Sequence, residues 1–113
     1  MHELSIVESL LALVLEHAGK AEAEKVVGVN LVVGELSGVV QEAVKFYWDF
    51  LTRETIAKDS RIIFRHVPAQ LKCRECGEVF LSSEYGYVCP KCRNQKVDII
   101  AGRELFIDSL EVE

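Results

Sequence analysis

Cys73, Cys76, Cys89 and Cys92 are all the cysteines of the chain, and they fall as CxxC, twelve residues, CxxC. Four thiolates at this spacing suit Zn²⁺, which takes a closed tetrahedral site with Zn–S bonds of ~2.3 Å; each CxxC turn sets two sulfurs on one side of the metal. In LKCRECG and YVCPKCR, Gly77 and Pro90 fit tight knuckle turns whose backbone amides can point at sulfur. Such a module buries little, so the metal would supply much of its folding energy. The alternative is a pair of disulfides, which requires an oxidising compartment. Four protein ligands leave no open coordination position, so the expected role is structural rather than catalytic.

A second constellation sits at the amino terminus, Met1-His2-Glu3. The plainer reading of His2 is a solvated surface residue. A free amine, the His2 imidazole and the deprotonated amide nitrogens of His2 and Glu3 could also surround a cation in one plane, the nitrogen environment that suits Ni²⁺ or Cu²⁺. At the tip of a helix the first amides have no intrahelical acceptor, so no existing bond opposes this. HELSI is not a HExxH protease motif, because position 6 is Ile. His17 and His66 are the remaining imidazoles, expected in structural or surface roles and otherwise available as outside ligands. The sequence contains no GxxxxGK[ST] loop, so any nucleotide hydrolysis would belong to a partner. Nor does it place an open metal position beside a general base, as a metalloenzyme would need.

These residues must be held by 113 residues, enough for one compact domain, or one with a small module. Half of the chain is hydrophobic and 27% charged, which excludes wholesale disorder. The longest aliphatic run, Leu10 to Leu15, falls short of the ~20 residues of a membrane span. His2, Glu3 and Glu8 stand where a secretory leader would carry Lys or Arg, so the start reads as a mature end and the expected compartment is the cytoplasm. The net charge of −5 argues against a nucleic-acid partner. The cysteine stretch itself has five basic and three acidic side chains from Leu71 to Val97. Four thiolates on one Zn²⁺ bring it near neutrality, and only Phe80, Tyr85 and Tyr87 could stack on bases, so a nucleic-acid-binding zinc ribbon is the lesser reading.

Periodicity supplies the scaffold. Leu4, Val7, Leu11, Val14 and Ala18 recur at helical spacing, widened by Ile6, Leu10 and Leu13. Ser5 with Glu8 could form a capping box, and Gly19 is the expected left-handed stop. Lys25 to Val33 alternates as a strand. Ser37 is a plausible N-cap for a second helix over 39–56, with Val40, Val44, Tyr47 and Leu51 on one stripe, Ala43, Phe46 and Phe50 beside it, and Trp48 at the margin, all expected to pack on a sheet. Arg61 to Val67 reads as a strand with Ile62 and Phe64 inward, ended by Pro68. After the cysteines, RELFIDSLEVE reads as a third strand whose Ile107-to-Leu110 step suggests a bulge near Asp108 and Ser109. The expected fold is α+β: two helices on a small three-stranded mixed sheet, with an inserted zinc-ribbon-like four-cysteine module.

Taken end to end, the chain resembles the HypA family of nickel-incorporation proteins, metallochaperones for maturation of [NiFe]-hydrogenase. MHELSIVESL, VNLVVGELSGVVQEAVKFYWD, VPAQLKCRECGEVF, YVCPKC and GRELFIDSLEVE carry the resemblance, in that order. It implies a nickel site at the Met1 amine, His2 and Glu3 in a domain of residues 1–67 and 103–113. It also implies a structural zinc site at Cys73, Cys76, Cys89 and Cys92 in a domain of residues 68–102. Nickel would then be cargo and the protein not an enzyme. The implied partners are a HypB-type maturation GTPase and the hydrogenase large subunit precursor, and in some organisms the family also serves urease. Self-association is left open. The CxxC pairs here lack the adjacent histidines of some members, so zinc-linked acid sensing by such residues does not carry over.

Overall fold

A computed structural model describes residues 3–113, in the order α1 (Glu3–Lys20), β1 (Val26–Gly34), α2 (Gln41–Leu51), β2 (Arg61–Val67), β3 (Gln70–Cys73), β4 (Val79–Leu81), α3 (Ser82–Tyr85), β5 (Val97–Ala101) and β6 (Leu105–Val112). One three-stranded sheet has the order β2-β1-β6 and a second has the order β4-β3-β5. In the first sheet β1 and β6 are antiparallel: Glu113 N donates to Lys25 O at 2.8 Å at one end and Gly34 N to Glu104 O at 2.6 Å at the other. Glu35 N donates to Val67 O at 2.8 Å, so β1 and β2 finish side by side, the arrangement that a helical crossover such as α2 permits. The sheet is therefore mixed and the fold α+β.

The chain forms two compact units. One runs from the amino-terminal residues to Val32 and takes in Gly38–Arg65 and Phe106–Glu113; the other comprises Val33–Ser37 and His66–Leu105. In the first, α1 buries Val7, Leu10, Val14 and Ala18 and packs along α2. The helix runs past the expected stop: Gly19 lies inside it, and Glu22 takes the left-handed conformation at φ 55°. Ala23 N donates to Ala18 O and Glu22 N to Gly19 O, both at 3.0 Å, the paired bonds of a Schellman ending. Because α1 opens at Glu3, Ser5 is helical and does not cap it.

α2 departs further from expectation. It begins at Gln41 after Val40, with no side-chain cap, and ends at Leu51. Thr52 closes it, sending both its amide (3.1 Å) and its hydroxyl (2.7 Å) to Trp48 O. Trp48, expected at the margin, is fully buried with Val44. Its indole nitrogen donates to Ser60 Oγ at 2.9 Å, which lets so large a side chain sit in the core with its polar atom satisfied. Rotating the helix to bury 44, 48 and 52 turns Phe46 (66% exposed) and Phe50 (54%) outward, against the core role expected for them. Ile62 and Phe64 of β2 are half-buried, as their alternation predicts, and along β6 burial changes phase between Ile107 and Leu110.

The second unit has structure that the sequence did not announce, since its strands are short and poor in aliphatic residues. β3 pairs antiparallel with both β4 and β5, with a register shift between Gln70 and Leu71 on the β5 side. A Cβ on Gly34 would lie 2.1 Å from Gly102 O, and Gly102 itself adopts φ 115° with Ala69 Cα 2.7 Å from where its Cβ would be. Only glycine allows the backbone to pass this closely.

Candidate metal centre

β3 ends in Cys73, and a tight turn carries Cys76; the loop after α3 carries Cys89 and Cys92. The two turns are built alike. Cys73 N donates to Glu78 O at 2.9 Å and Gly77 N to Cys73 O at 3.0 Å; Cys89 N donates to Asn94 O at 3.0 Å and Arg93 N to Cys89 O at 2.9 Å. Four residues after the first cysteine of each turn stands a left-handed residue, Gly77 at φ 77° and Arg93 at φ 63°. The first turn states this geometry in its glycine. The second hides it behind an arginine, and only laying CRECG over CPKCR reveals it.

All four sulfurs lie within 4.8 Å of one another, Cys73 with Cys92 and Cys76 with Cys89 at 3.5 Å. A disulfide would need ~2.05 Å, and all four cysteines are free. Tetrahedral bonds of ~2.3 Å would place thiolates about 3.8 Å apart, so this donor set fits a single ion of that kind. Cys73 and Cys89 are buried while Cys76 and Cys92 are exposed.

The backbone prepares the sulfurs unequally. The Cys76 amide above all holds the Cys73 thiol below its ordinary range, against the effect of burial. Burial pushes Cys89 up, but the amides of Cys92 and Lys91 and the neighbouring thiols outweigh it and bring that thiol to about 7. The Glu78 amide pulls Cys76 down, yet burial and the Cys89 and Cys73 thiols leave it raised. The Asn94 amide pulls Cys92 down, yet the Cys73 thiol, burial and the other two thiols push it up to about 12. In each turn the buried cysteine gives up its proton first. Four sulfurs this close cannot all ionise unless a cation stands among them.

The packing around the sulfurs is thin. Its buried members are Leu71, Cys73, Phe80 and Cys89, with Val97 and Ile99 against them. Arg74 Nε meets Asp98 Oδ1 at 2.8 Å between β3 and β5, an exposed pair of little weight.

Of the amino-terminal candidates, Met1 and His2 lie outside the described residues. Glu3 opens α1, and its carboxylate accepts a hydrogen bond from Val40 N at 3.3 Å, just before α2. That side chain is thus occupied on the neighbouring helix start, a contact that no sequence pattern foretold. His17 lies on the exposed side of α1 and His66 is exposed on β2. Among the described residues, the four cysteines are the group of His, Cys, Asp and Glu side chains able to share one metal ion. No helix among the described residues is long and apolar enough to cross a membrane.

Comparison with known proteins covers the whole chain. A sequence model of the family described as hydrogenase/urease nickel incorporation, metallochaperone, hypA, matches residues 1–112. The chain is 45% identical over 113 residues to a hydrogenase maturation factor HypA of Dehalococcoides mccartyi, covering 100% of this chain and 95% of that one. It is also 45% identical over 114 residues to the protein of the same name from Caldanaerobacter subterraneus, with full coverage of both. Two solution structures share the fold. The nickel metallochaperone HypA of Helicobacter pylori superposes with a TM-score of 0.70 at 34% identity, covering 99% of this chain and 97% of that one. A second HypA structure gives 0.76 at 34% identity, covering 100% and 97%.

Proposed function

This chain belongs to the HypA family of hydrogenase/urease nickel-incorporation metallochaperones, and from that premise we propose that it binds Ni²⁺ at its own amino terminus and passes it to an apo-enzyme. It is a maturation factor rather than a catalyst. The ligands proposed are the Met1 amine, the His2 imidazole and amide, and the Glu3 amide, in the part of the chain comprising residues 1–67 and 103–113. Residues 68–102 hold a structural Zn²⁺ on Cys73, Cys76, Cys89 and Cys92, whose bound ion would supply the cross-link their small core cannot.

The observation that carries the nickel reading is Glu3 at the start of α1 with its carboxylate engaged by Val40. The carboxylate is held by Val40 N just before α2, while a first-turn amide has no intrahelical acceptor to lose by turning to a metal. Ni²⁺ at a helix N-terminus meets the positive end of the macrodipole, a penalty of ~0.3–1 kcal/mol. Two deprotonated amides and strong in-plane Ni–N bonds offset it. Because amine, imidazole and amides must all lose protons, nickel affinity falls as pH drops, most steeply where the imidazole protonates at about 6 to 7. One residue added before Met1, or His2→Ala, abolishes nickel binding while zinc remains at one per chain. An extended protein that bound one nickel with unchanged affinity and a planar-nitrogen spectrum would refute the site and direct the search to His17 and His66.

The partners proposed are a HypB-type GTPase and a hydrogenase large subunit precursor, met in the cytoplasm. A transferred ion takes a short path, so the GTPase docks along the exposed side of α1, where Leu4, Glu8, Leu13 and Glu16 are solvent-facing. Charge reversal at Glu8 that left GTPase affinity and nickel transfer untouched would count against this placement.

A further inference from the structure

Nothing in nickel or zinc chemistry uses the carboxyl-terminal end of α2 and the turn that follows it. There Asp49, Arg53, Lys58, Asp59, Ser60 and Arg61 line a cleft of about 590 Å³. A recess of about 270 Å³ shares Asp49, Ser60 and Arg61 with it and adds Lys45 and Trp48. Four cations thus face two carboxylates, a positive site on a chain whose net charge is −5. The ion pairs Lys20–Glu16 and Arg74–Asp98 lie elsewhere, and among the described residues none of these four cations has a carboxylate within 4 Å.

Nor do they serve the helix end. Basic residues there commonly hydrogen-bond the last carbonyls, but at α2 the amide and hydroxyl of Thr52 meet Trp48 O, and the Thr55 hydroxyl meets Thr52 O at 2.9 Å. Arg53 instead lays its guanidinium over the Phe50 ring at 5.2 Å. Stacking fixes the plane of the guanidinium at small entropic cost and leaves its in-plane N–H donors for an anion. Phe50 continues one turn back to Phe46, and these are the two outward aromatics of α2, with the Phe46 ring edge-on to Tyr47 at 5.4 Å. A ridge of exposed aromatics bordered by unpaired arginines has the composition of the buried centre of a protein interface rather than of ordinary surface.

We propose that the Phe46–Phe50 ridge and the Arg53–Lys58–Arg61 cleft together dock a segment of a protein partner that presents acidic and apolar side chains alternately along one face. Carboxylates enter the cleft, and apolar side chains lie on the aromatic ridge. Charge complementarity selects the acidic character. The ridge selects a peptide over a free phosphate or carboxylate, which would leave Phe46 and Phe50 uncovered. The surface uses none of the proposed nickel ligands, so the proposal does not depend on the nickel reading.

Trp48, the only tryptophan, lines the recess and reports on its filling. The experiment titrates the full-length metal-loaded protein with a sixteen-residue synthetic peptide of Glu and Leu at helical spacing, following Trp48 fluorescence. Binding should saturate, weaken steeply with added salt, and fall at least tenfold both in Arg53→Glu/Arg61→Glu and in Phe46→Ser/Phe50→Ser. Zinc content, nickel content and far-ultraviolet circular dichroism should match the parent protein. Should either variant misfold, the parent protein alone decides, because the same peptide with Lys for every Glu must not bind. No saturable binding, or equal binding of the Lys peptide, overturns the proposal. Competition by inorganic phosphate with the Phe variants unaffected overturns it in favour of a small-anion site. Sedimentation showing a dimer that both variants dissolve, without peptide binding, overturns it in favour of a second copy of this chain.

Discussion

The two units of this chain are held together by different physics. Around α1, β1 and α2, Val7, Val14, Val26, Val29, Leu31, Val44 and Trp48 are almost wholly buried, and each such side chain contributes roughly 1.5–3 kcal/mol. The cluster around the four sulfurs buries Leu71, Phe80, Cys73 and Cys89, with Val97 and Ile99 partly buried against it. So small a cluster cannot offset the entropy of ordering three strands and two turns. Half of its buried members are cysteines able to share one ion, so metal binding and folding would there be one event. A Zn²⁺ bound there would make up for missing hydrophobic area in one unit and would be irrelevant to the other.

The largest expected effect separates the two. Chelation, or Cys76→Ala, should unfold residues 70 to 101 while the first unit persists, a loss on the scale of the ~10–16 kcal/mol apparent binding energy of structural zinc. Hydrogen exchange should show β3, β4 and β5 unprotected with α1 and β1 unchanged. Acid should reproduce this. Metal-held thiolates ionise well below the ordinary ~8.5 of a cysteine; that stability is present above the unfolded value and lost as pH falls and protons displace the metal. Uniform melting of both units, or a metal-free cysteine unit that stayed protected, would break the comparison.

Gly34→Ala should come next, at about 3 kcal/mol or more. Its Cβ would stand 2.1 Å from Gly102 O and 2.6 Å from Glu104 N, and backbone on backbone has no rotamer to yield. Urea unfolding measures the loss. An effect below ~1 kcal/mol would mean the crossing relaxes cheaply.

Ser60→Ala tests the first unit alone. The Ser60 hydroxyl accepts from Trp48 Nε1 and donates to Ala57 O, and both side chains are buried. Removing it strands the indole N–H, at ~1–3 kcal/mol. The thermal midpoint of the first unit should fall while zinc content and exchange in the second stay constant. If the cysteine unit also loosened, the two would not be energetically separate.

Legibility in the sequence followed the same division. The cysteine spacing announced that the four thiols would meet, because sharing one ion needs a fixed geometry that shows in the chain. The strands around them were not legible, since they are short and show little apolar alternation. In the first unit β2 and the buried Val7, Leu10, Val14 and Ala18 of α1 followed from periodicity, but Leu4 and Leu13, expected on the same stripe, are exposed, and the faces of α2 did not follow. Phe46 and Trp48 both fit a buried stripe, and what decided between them was Ser60, a partner twelve residues away. Gly19 looked like the helix stop because glycine adopts the left-handed region most easily; burial of Ala18 and the Lys20–Glu16 pair at 3.5 Å accompany a helix that runs past it, leaving Glu22 to take the strained φ. Propensity proposes such endings and packing overrides them.

The smallest expected effect sets one knuckle against the other. Gly77 and Arg93 hold equivalent left-handed positions, at φ 77° and 63°, after the first cysteine of each turn. A non-glycine residue in that region costs roughly 1 kcal/mol or a little more. Arg93→Gly should therefore stabilise the metal-bound cysteine unit, by less than the full relief because glycine also gains freedom in the unfolded chain, leaving ~0.5–1 kcal/mol. Gly77→Ala should do the reverse by a similar amount, even though nothing lies within 4 Å of where its Cβ would be, so the cost is conformational and not steric. Resistance to a competing chelator reads both, since local folding and metal retention are linked: the first variant should hold zinc longer than the parent and the second less long. If Arg93→Gly lost zinc faster, the arginine would be holding the turn through its side chain, and the likeness of the two knuckles would stop at the backbone.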